Sequence, residues 1–343
     1  MMPCRSDSKG MDMRCRLSLL AVFVAGVALP VAAQNLTLPL KSGSVRFAVI
    51  GDTGTGGTAQ YEVAQRMVEY RQKFPFDFVL MVGDNIYGSE SPRGLQAKFE
   101  MPYKPLLDGG VKFYAALGNH DNVNQRFYKF FNMNGAQYYS FKKGNVRFFV
   151  LDSNYMDPKQ LAWLEQELTA SGSDWKVCYF HHPLYSSGTN HGSATELRFL
   201  LEPLFVKHGV QVVFSGHEHV YERVKPQKGI QYFTEGASAK LMARSLQATS
   251  FKASGFDTDY SFMLVEIAGD ELYFQTISRT GATVDSGVIR RPAQAQSTAP
   301  ATLSPNSRPT LLPAIRSRAE TPAWRKYRNL GFAPAIDRSI PAK

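Results

Sequence analysis

Five short polar segments of this 343-residue chain carry side chains that could bind metal ions. The segments are Gly51-Asp52-Thr53-Gly54, Gly83-Asp84-Asn85-Ile86-Tyr87, Gly118-Asn119-His120-Asp121, His181-His182-Pro183 and Gly216-His217-Glu218-His219. Carboxylate, phenol, amide and imidazole groups supply lone pairs that can converge on a cation. Together the segments predict a two-metal site, and hydrolysis assisted by Lewis acids is the chemistry open to such a site.

Each polar segment follows an apolar run that is typical of a strand buried on both faces. These runs span residues 45–50, 76–82, 111–117, 175–180 and 210–214. Three stretches between them have apolar residues at helical spacing: 61–73, 158–170 and 195–207, the last with Pro203, which should kink the helix. Alternating strands and helices predict a layered α/β fold whose ligand site lies beyond the carboxyl ends of the strands.

The two ends of the chain differ in composition from the part between them. Residues 1–33 contain Arg14 and Arg16, then an apolar run and Val31-Ala32-Ala33, which predicts a cleaved signal peptide and a periplasmic or secreted protein. The apolar run is short for a membrane span, so we expect no transmembrane segment in the mature protein. The mature chain would keep only Cys178, in a predicted strand. The catalytic domain should cover residues 34–289.

Residues 290–343 are rich in Pro, Ala, Ser and Thr and show no periodicity, which predicts a disordered tail. The tail holds ten basic and two acidic residues, and residues 1–33 hold four and two, so the ends account for the whole net charge of +10. The catalytic domain is therefore neutral, and its charge is no argument for nucleic-acid binding. We expect a solvated tail, with residues 324–328 as a candidate contact for an anionic surface.

The five segments, in this order, resemble the motifs of the purple acid phosphatases, a branch of the binuclear metallophosphoesterases. The similarity covers roughly residues 45–280, and the run from Gly216 to Arg223 is especially close. The chain is similar to the small, single-domain members, of the tartrate-resistant acid phosphatase type. The resemblance implies an α/β/β/α sandwich and hydrolysis of phosphate monoesters by direct attack of a metal-bound hydroxide.

The resemblance also implies which residues bind the metals. Asp52, Tyr87 and His219 would bind one ion, Asn119, His181 and His217 the other, and Asp84 would bridge the two. A phenolate ligand needs a strong Lewis acid, because the reference pKa of tyrosine is about 10, so Tyr87 indicates Fe(III). The neutral ligands of the second set suit a divalent ion such as Zn, Fe or Mn. His217 and His219, two residues apart on a continuing strand, would face one side.

Three further residues match positions that act on the substrate in the family. His120 would contact phosphate oxygens or act as general acid, and Asp121 would orient it. His191, in the loop 186–193, would help to protonate the leaving group; the alternative is a solvent-exposed loop histidine. His182 is expected to pack behind the metal ligands.

Other functions remain open at this point. A phosphodiesterase or a Ser/Thr protein phosphatase could use the same fold, although related diesterases carry Asp-x-His where this chain has Asp52-Thr53-Gly54. A non-catalytic protein that binds surfaces through its basic tail belongs to another class. The glycine-rich run 54–57 departs from the family pattern, and its backbone amides could bind phosphate or only form a flexible turn.

Overall fold

The computed structural model describes residues 36–291, which form thirteen strands and five α-helices. The helices are α1 (Thr58–Lys73), α2 (Pro92–Leu95), α3 (Lys104–Asp108), α4 (Pro158–Ala170) and α5 (Thr195–His208). The strands are β1 (Val45–Ile50), β2 (Phe78–Met81), β3 (Lys112–Ala115), β4 (Tyr139–Lys143), β5 (Val146–Val150), β6 (Trp175–Tyr179), β7 (Val212–Ser215), β8 (Tyr221–Val224), β9 (Gln231–Glu235), β10 (Lys252–Phe256), β11 (Ser261–Ala268), β12 (Glu271–Ser278) and β13 (Thr283–Arg290).

Local residue chemistry explains where α4 begins and where α5 ends. Asp157 caps α4, because its carboxylate accepts a hydrogen bond from the backbone N–H of Gln160 at 2.7 Å, and Pro158 occupies the first turn. Gly209 ends α5 with a φ of +67°, a left-handed conformation that costs glycine little. The helix α5 continues through Pro203.

The strands form two mixed sheets. The first has the order β13-β12-β11-β1-β2-β3, with β1, β2 and β3 parallel. The second has the order β10-β8-β9-β7-β6-β5-β4, with β5, β6, β7 and β9 parallel. In each sheet the parallel strands are extended by antiparallel ones, which the sequence analysis did not identify.

The two sheets pack face to face, and helices cover their outer faces. Phe47 of the first sheet meets Phe148 and Phe214 of the second, with ring centroids 5.4 and 6.1 Å apart. Buried residues of α1 pack on the outer face of the first sheet, and those of α4 and α5 pack on the second. This arrangement confirms the predicted α/β/β/α sandwich.

The predicted strands and helices are all present, with shorter strands than expected. Segment 76–82 forms only β2, and segment 111–117 forms only β3, because the ends of both runs belong to the loops. Cys178 is fully buried in β6. The predicted signal peptide lies outside the described residues, as does the tail beyond Arg291, and Arg290 completes β13. No helix within residues 36–291 is long and apolar enough to cross a membrane.

Candidate metal centre

The candidate ligands lie together at the carboxyl edges of both sheets. Asp52, Asp84 and Asn119 follow β1, β2 and β3, and His181 and His217 follow β6 and β7. Parallel strands bring their carboxyl ends to one edge, so five separate loops of the chain meet there. The sequence analysis predicted this edge as the site.

Three of these residues adopt a backbone conformation that is unfavourable for non-glycine residues. Asp52, Asp84 and His217 have φ values of +55°, +51° and +70°. Such a conformation costs about 1–3 kcal/mol and persists only where the surroundings fix it. The residues after β7 form a bend, so the expectation that His217 and His219 share a continuing strand is wrong. The bend turns both rings toward the site, although the side chains do not alternate as they would along a strand.

Two glycines allow the loops to approach one another. A Cβ atom at Gly118 would lie 2.1 Å from Oδ1 of Asp84, and one at Gly83 would lie 2.5 Å from the His181 ring. Any side chain at either position would therefore displace a candidate ligand. This explains why glycine precedes Asp84 and Asn119 in the motifs.

One group of polar atoms surrounds the hydroxyl of Tyr87. This hydroxyl lies 2.8 Å from Oδ2 of Asp84, 3.1 Å from Oδ1 of Asp52 and 3.4 Å from Nε2 of His219. The His219 Nε2 atom is also 3.3 Å from Oδ1 of Asp52. The structure thus brings together Asp52, Tyr87 and His219.

A second group surrounds Nε2 of His181. This nitrogen is 3.0 Å from Oδ1 of Asn119, 3.1 Å from Nδ1 of His217 and 3.3 Å from Oδ1 of Asp84. The Nδ1 atom of His181 lies 3.1 Å from the carbonyl oxygen of Val82 and is assigned the proton, which leaves a lone pair on Nε2. The structure thus brings together Asn119, His181 and His217.

The donor set fits cations. Two lone-pair atoms, Nε2 of His181 and Oδ1 of Asn119, face each other at 3.0 Å, a contact that a cation stabilises. Asp52 and Asp84 are 0% and 1% exposed, and within residues 36–291 neither forms an ion pair with Lys or Arg. One ligand atom from each of Asp52, Asp84 and His181 lies within 4.8 Å of the others. Buried carboxylates of this kind are normally paired or coordinate metals.

The protonation states of His217 and Asp84 favour metal binding. Burial, together with the neighbouring His181 and His182, lowers the pKa of His217 far below its ordinary value, so its imidazole is neutral. Burial would raise the pKa of Asp84, but His181 and the backbone N–H of His120 outweigh it and lower that pKa. A neutral imidazole and an ionised carboxylate are the forms that coordinate metals.

The two proposed substrate-contacting histidines lie beside this cluster. His120 packs against the ring of Tyr87 at a centroid distance of 5.0 Å, and its backbone N–H donates to Asp84. His191 packs on the ring of His217 at 3.9 Å. Both rings therefore flank the candidate ligands, from opposite sheets.

Asp121 lies beneath the first-sheet loops. Its carboxylate accepts hydrogen bonds from the backbone N–H groups of Asn85, Ile86 and Gly118, at 2.8 to 3.0 Å, and from Gln125. Burial raises the pKa of this carboxyl to about 7. These contacts join the loops after β2 and β3, whereas orientation of the His120 ring by Asp121 stays a prediction.

His182 lies behind the histidine ligands, with Nδ1 2.8 Å from the hydroxyl of Ser153. Burial lowers the pKa of His182 to about 3, which keeps the ring neutral. Beside it a cavity of about 520 Å³ opens, bounded by Asn119 and His182 at the cluster. The rest of its lining includes Leu117, Tyr155 and Leu197.

The structure adds a cation that the sequence analysis missed. Lys240 places its ammonium group 4.3 Å from the centroid of the Tyr87 ring, and its charge acts on His219. In the glycine-rich run 54–57, the backbone N–H groups of Thr55, Gly56 and Gly57 donate within the protein, which favours a structural turn over a phosphate-binding loop.

Comparison with known proteins agrees with this geometry. The family model "Calcineurin-like phosphoesterase" matches residues 45–221. Among curated proteins, purple acid phosphatase 7 of Arabidopsis thaliana is 27% identical, over 78% of this chain and 96% of that protein. Purple acid phosphatase 17 of the same plant is 30% identical, over 60% and 72%. Tartrate-resistant acid phosphatase type 5 of Rattus norvegicus is 24% identical, over 76% and 96%.

Solved structures share the fold. The purple acid phosphatase PPD1 from yellow lupin aligns with a TM-score of 0.61 at 18% identity, over 73% of this chain and 54% of that one. GAP50, described as the anchor in the inner membrane complex of Plasmodium, aligns with a TM-score of 0.64 at 20% identity, over 72% and 89%. At such identities the structural similarity supports the fold alone. The family match and the sequence identity to purple acid phosphatase 17 carry the assignment: the chain belongs to the calcineurin-like phosphoesterases and is an enzyme of the purple acid phosphatase type.

Proposed function

We propose that this protein hydrolyses phosphate monoesters with the help of two metal ions. Asp52, Tyr87 and His219 would bind one ion, and Asn119, His181 and His217 the other. The observation that supports this division is the position of Asp84, whose Oδ2 atom lies beside Tyr87 while its Oδ1 atom lies beside His181. A carboxylate placed between two donor groups in this way is suited to bridge two ions.

The donor types suggest the ions. The first group contains a carboxylate and a phenol, which suit a trivalent ion such as Fe(III). The second contains an amide and two neutral imidazoles, which suit Zn, Fe or Mn in the divalent state. When bound, such a pair of ions polarises phosphate oxygens and lowers the pKa of a bound water.

The protein's own side chains would handle the charge and the protons of the reaction. In hydrolysis a P–O bond to water forms, the P–O bond to the alcohol breaks, and the leaving oxygen takes up a proton. His120 and His191 flank the cluster from its two sides, so we assign them hydrogen bonds to the phosphate and proton donation to the leaving oxygen. Lys240, near Tyr87, adds positive charge for a phosphate dianion.

The cavity beside Asn119 and His182 is the proposed location of the leaving group. Its lining combines apolar and polar side chains with the carboxyl groups of Asp121 and Asp152, and within residues 36–291 no Lys or Arg contributes to it. A leaving group with an additional phosphate would find no counter-charge there. The proposed substrate is therefore a small monoester whose leaving group carries no negative charge. We further propose export, based on the signal peptide predicted in residues 1–33, which lie outside the described part.

The decisive experiment combines metal analysis, visible absorption and turnover of the purified protein. We expect two ions per chain, a tyrosinate-to-Fe(III) band and hydrolysis of monoesters in preference to diesters. Tyr87→Phe should abolish the band while the fold persists, and Tyr103→Phe, a buried control, should leave it unchanged. A band that survives in Tyr87→Phe would refute the ligand assignment. A protein that binds two ions but prefers diesters or phosphoproteins, or has no turnover, would favour the alternative functions.

A further inference from the structure

The loop that carries His191 is fixed at its base. This loop, residues 186–193, runs from the end of β6 toward α5. Its first and last residues bind each other, because the backbone N–H of Ser186 donates to the hydroxyl of Ser193 at 2.9 Å, and that hydroxyl donates to the carbonyl oxygen of Ser186. Thr189 adds a backbone hydrogen bond to Ser245 at 3.1 Å.

A buried carboxylate from another part of the chain holds the His191 end of this loop. Glu218 is 0% exposed, and its Oε1 atom accepts hydrogen bonds from the backbone N–H groups of both His191 and Gly192. The loop packs so closely on this carboxylate that a Cβ atom at Gly188 would lie 2.5 Å from Oε2. Within residues 36–291, Glu218 forms no ion pair, and its Oε2 atom has no hydrogen-bond partner.

A second buried carboxylate holds the start of the loop. Glu222, also 0% exposed, accepts a hydrogen bond from the backbone N–H of Ser187 at 2.8 Å and one from the hydroxyl of Ser186 at 3.1 Å. Glu218 lies in the bend after β7, and Glu222 lies in the next strand, β8. We call the two residues the carboxylate clamp. It accepts hydrogen bonds from four residues of the loop: Ser186, Ser187, His191 and Gly192.

The position of Glu218 in the sequence connects the clamp to the candidate metal ligands. Glu218 lies between His217 and His219, so the bend that presents these two rings also presents the carboxylate, which holds the opposite loop. The His191 ring then packs on the His217 ring at a centroid distance of 3.9 Å. One rigid turn therefore sets both the ligand ring and the ring that packs on it.

We propose that Glu218 is a positioning residue that fixes the His191 ring relative to the metal cluster, with Glu222 holding the other end of the loop. The proposal rests on the proposed function for the role of His191, but its structural part stands alone. A buried carboxyl group is costly unless hydrogen bonds satisfy it, and two backbone N–H groups donate to the Oε1 atom of Glu218. Such an arrangement can hold the His191 ring in the position needed for proton donation. This matters because small displacements of reacting groups slow catalysis strongly.

The test measures loop order and turnover in Glu218→Ala and in the isosteric Glu218→Gln. Hydrogen exchange of the peptide 186–193, followed by mass spectrometry, should become faster in Glu218→Ala, because two amides lose their acceptor. For esters with poor leaving groups we expect kcat to fall about 10- to 100-fold, with unchanged metal content and little change in KM. Glu218→Gln retains an acceptor oxygen and should recover most of both properties.

Two comparisons separate positioning from a general loss of stability. In a His191→Ala background, Glu218→Ala should have almost no further effect on kcat, because the two residues act through one ring. The matched control is Glu266→Ala: Glu266 is equally buried and accepts backbone hydrogen bonds from Leu40 and Lys41, but it pairs with Arg46 at the start of β1, away from the cluster. Its loss should reduce stability without altering the dependence on the leaving group.

Several outcomes would overturn the proposal. Unchanged exchange of peptide 186–193 in Glu218→Ala would show that the loop does not depend on the clamp. Additive effects of Glu218→Ala and His191→Ala, or loss of a metal ion, would assign Glu218 to the ligand turn itself. If wild type has no turnover at all, the proposed function fails, while the exchange measurement still decides whether Glu218 orders the loop.

Discussion

The two sheets contribute different chemistry to the same cluster. The edge of the first sheet supplies acids, namely Asp52, Asp84 and the phenol of Tyr87, whereas the second supplies imidazoles from His181, His217 and His219. In the proposed assignment each ion takes ligands from both edges. Metal binding would therefore also join the two sheets, and neither edge alone would complete a site. Because Asp52 and Tyr87 would bind one ion, whereas Asn119, His181 and His217 would bind the other, the cluster could hold two ions of unlike charge.

The largest effect is expected where the two edges share a ligand. Asp84→Asn leaves one oxygen in place of a carboxylate that reaches both donor groups, so occupancy of both ions should fall and turnover should drop to background. Metal analysis and turnover of esters check this. Asp77→Asn, an exposed carboxylate just before the same strand, should behave as wild type. Selective loss of a single ion would show that Asp84 binds only one of the two ions.

A variant of His120, at the edge of the first sheet, tests whether this edge takes part in catalysis as well as in metal binding. General acid catalysis typically contributes about 10² to 10⁴ in rate, so His120→Ala should lower kcat by that order for esters with poor leaving groups. Activated aryl esters need less protonation and should be affected far less, with metal content unchanged. His191→Ala, in the loop after β6 of the second sheet, should lower kcat for the same esters to a smaller extent. If His120→Ala instead slows both ester types equally, a role in positioning the phosphate replaces proton donation.

The sequence predicted the strand ends and the residues that follow them because both depend on local patterns. Apolar runs followed by glycine and a polar residue specify a buried strand and a tight turn, whichever loops later meet at the edge. The resemblance to a family supplied the division of the ligands between two ions. The α/β/β/α layering is confirmed by the packing of Phe47 against both Phe148 and Phe214.

What the sequence did not predict depends on contacts between distant segments. The bend at His217 has a left-handed backbone that periodicity does not reveal, and two of the backbone N–H groups that donate to Asp121 lie in another loop, the one after β2. Lys240 reaches Tyr87 across more than 150 positions of sequence. Glu218 was visible only as the residue between two histidines. Its buried contacts with loop 186–193 depend on the tertiary structure.

The second sheet also carries, after β5, a buried carboxyl group that is no candidate metal ligand, that of Asp152. Its titration should appear in the pH dependence of the free energy of unfolding. Burial raises the pKa of Asp152 to about 6, above its ordinary 3.8. The folded protein therefore holds this proton more tightly, and the free energy of unfolding should fall as the pH rises from about 4 to about 6. Asp152→Asn should remove this contribution, which amounts to at most about 3 kcal/mol.

Urea unfolding of wild type and Asp152→Asn at pH 4.5 and 7.5 measures the effect. The variant should gain stability relative to wild type at the higher pH, whereas Asp108→Asn, an exposed carboxylate, should show no such difference. A difference between wild type and Asp152→Asn that is the same at both pH values would mean that Asp152 titrates normally.

Removal of the Lys240 charge should have the smallest effect on catalysis. It tests whether a side chain, in addition to the ions, supplies positive charge to the site. Its ammonium group lies over the Tyr87 ring, and within residues 36–291 it forms no ion pair with a carboxylate, so its charge is free to attract a phosphate dianion. A partly exposed charge of this kind contributes on the order of 1 kcal/mol, and we expect Lys240→Ala to raise KM and the inhibition constant of phosphate about 3- to 10-fold. The salt dependence of KM should weaken with it, because screening acts on the lost charge. Lys240→Arg should retain both properties, and Lys104→Ala, on the exposed surface of α3, should change neither. A shifted visible band with unchanged KM would instead mean that Lys240 acts on the Tyr87 ligand, and the positive charge of the site would then come from the ions alone.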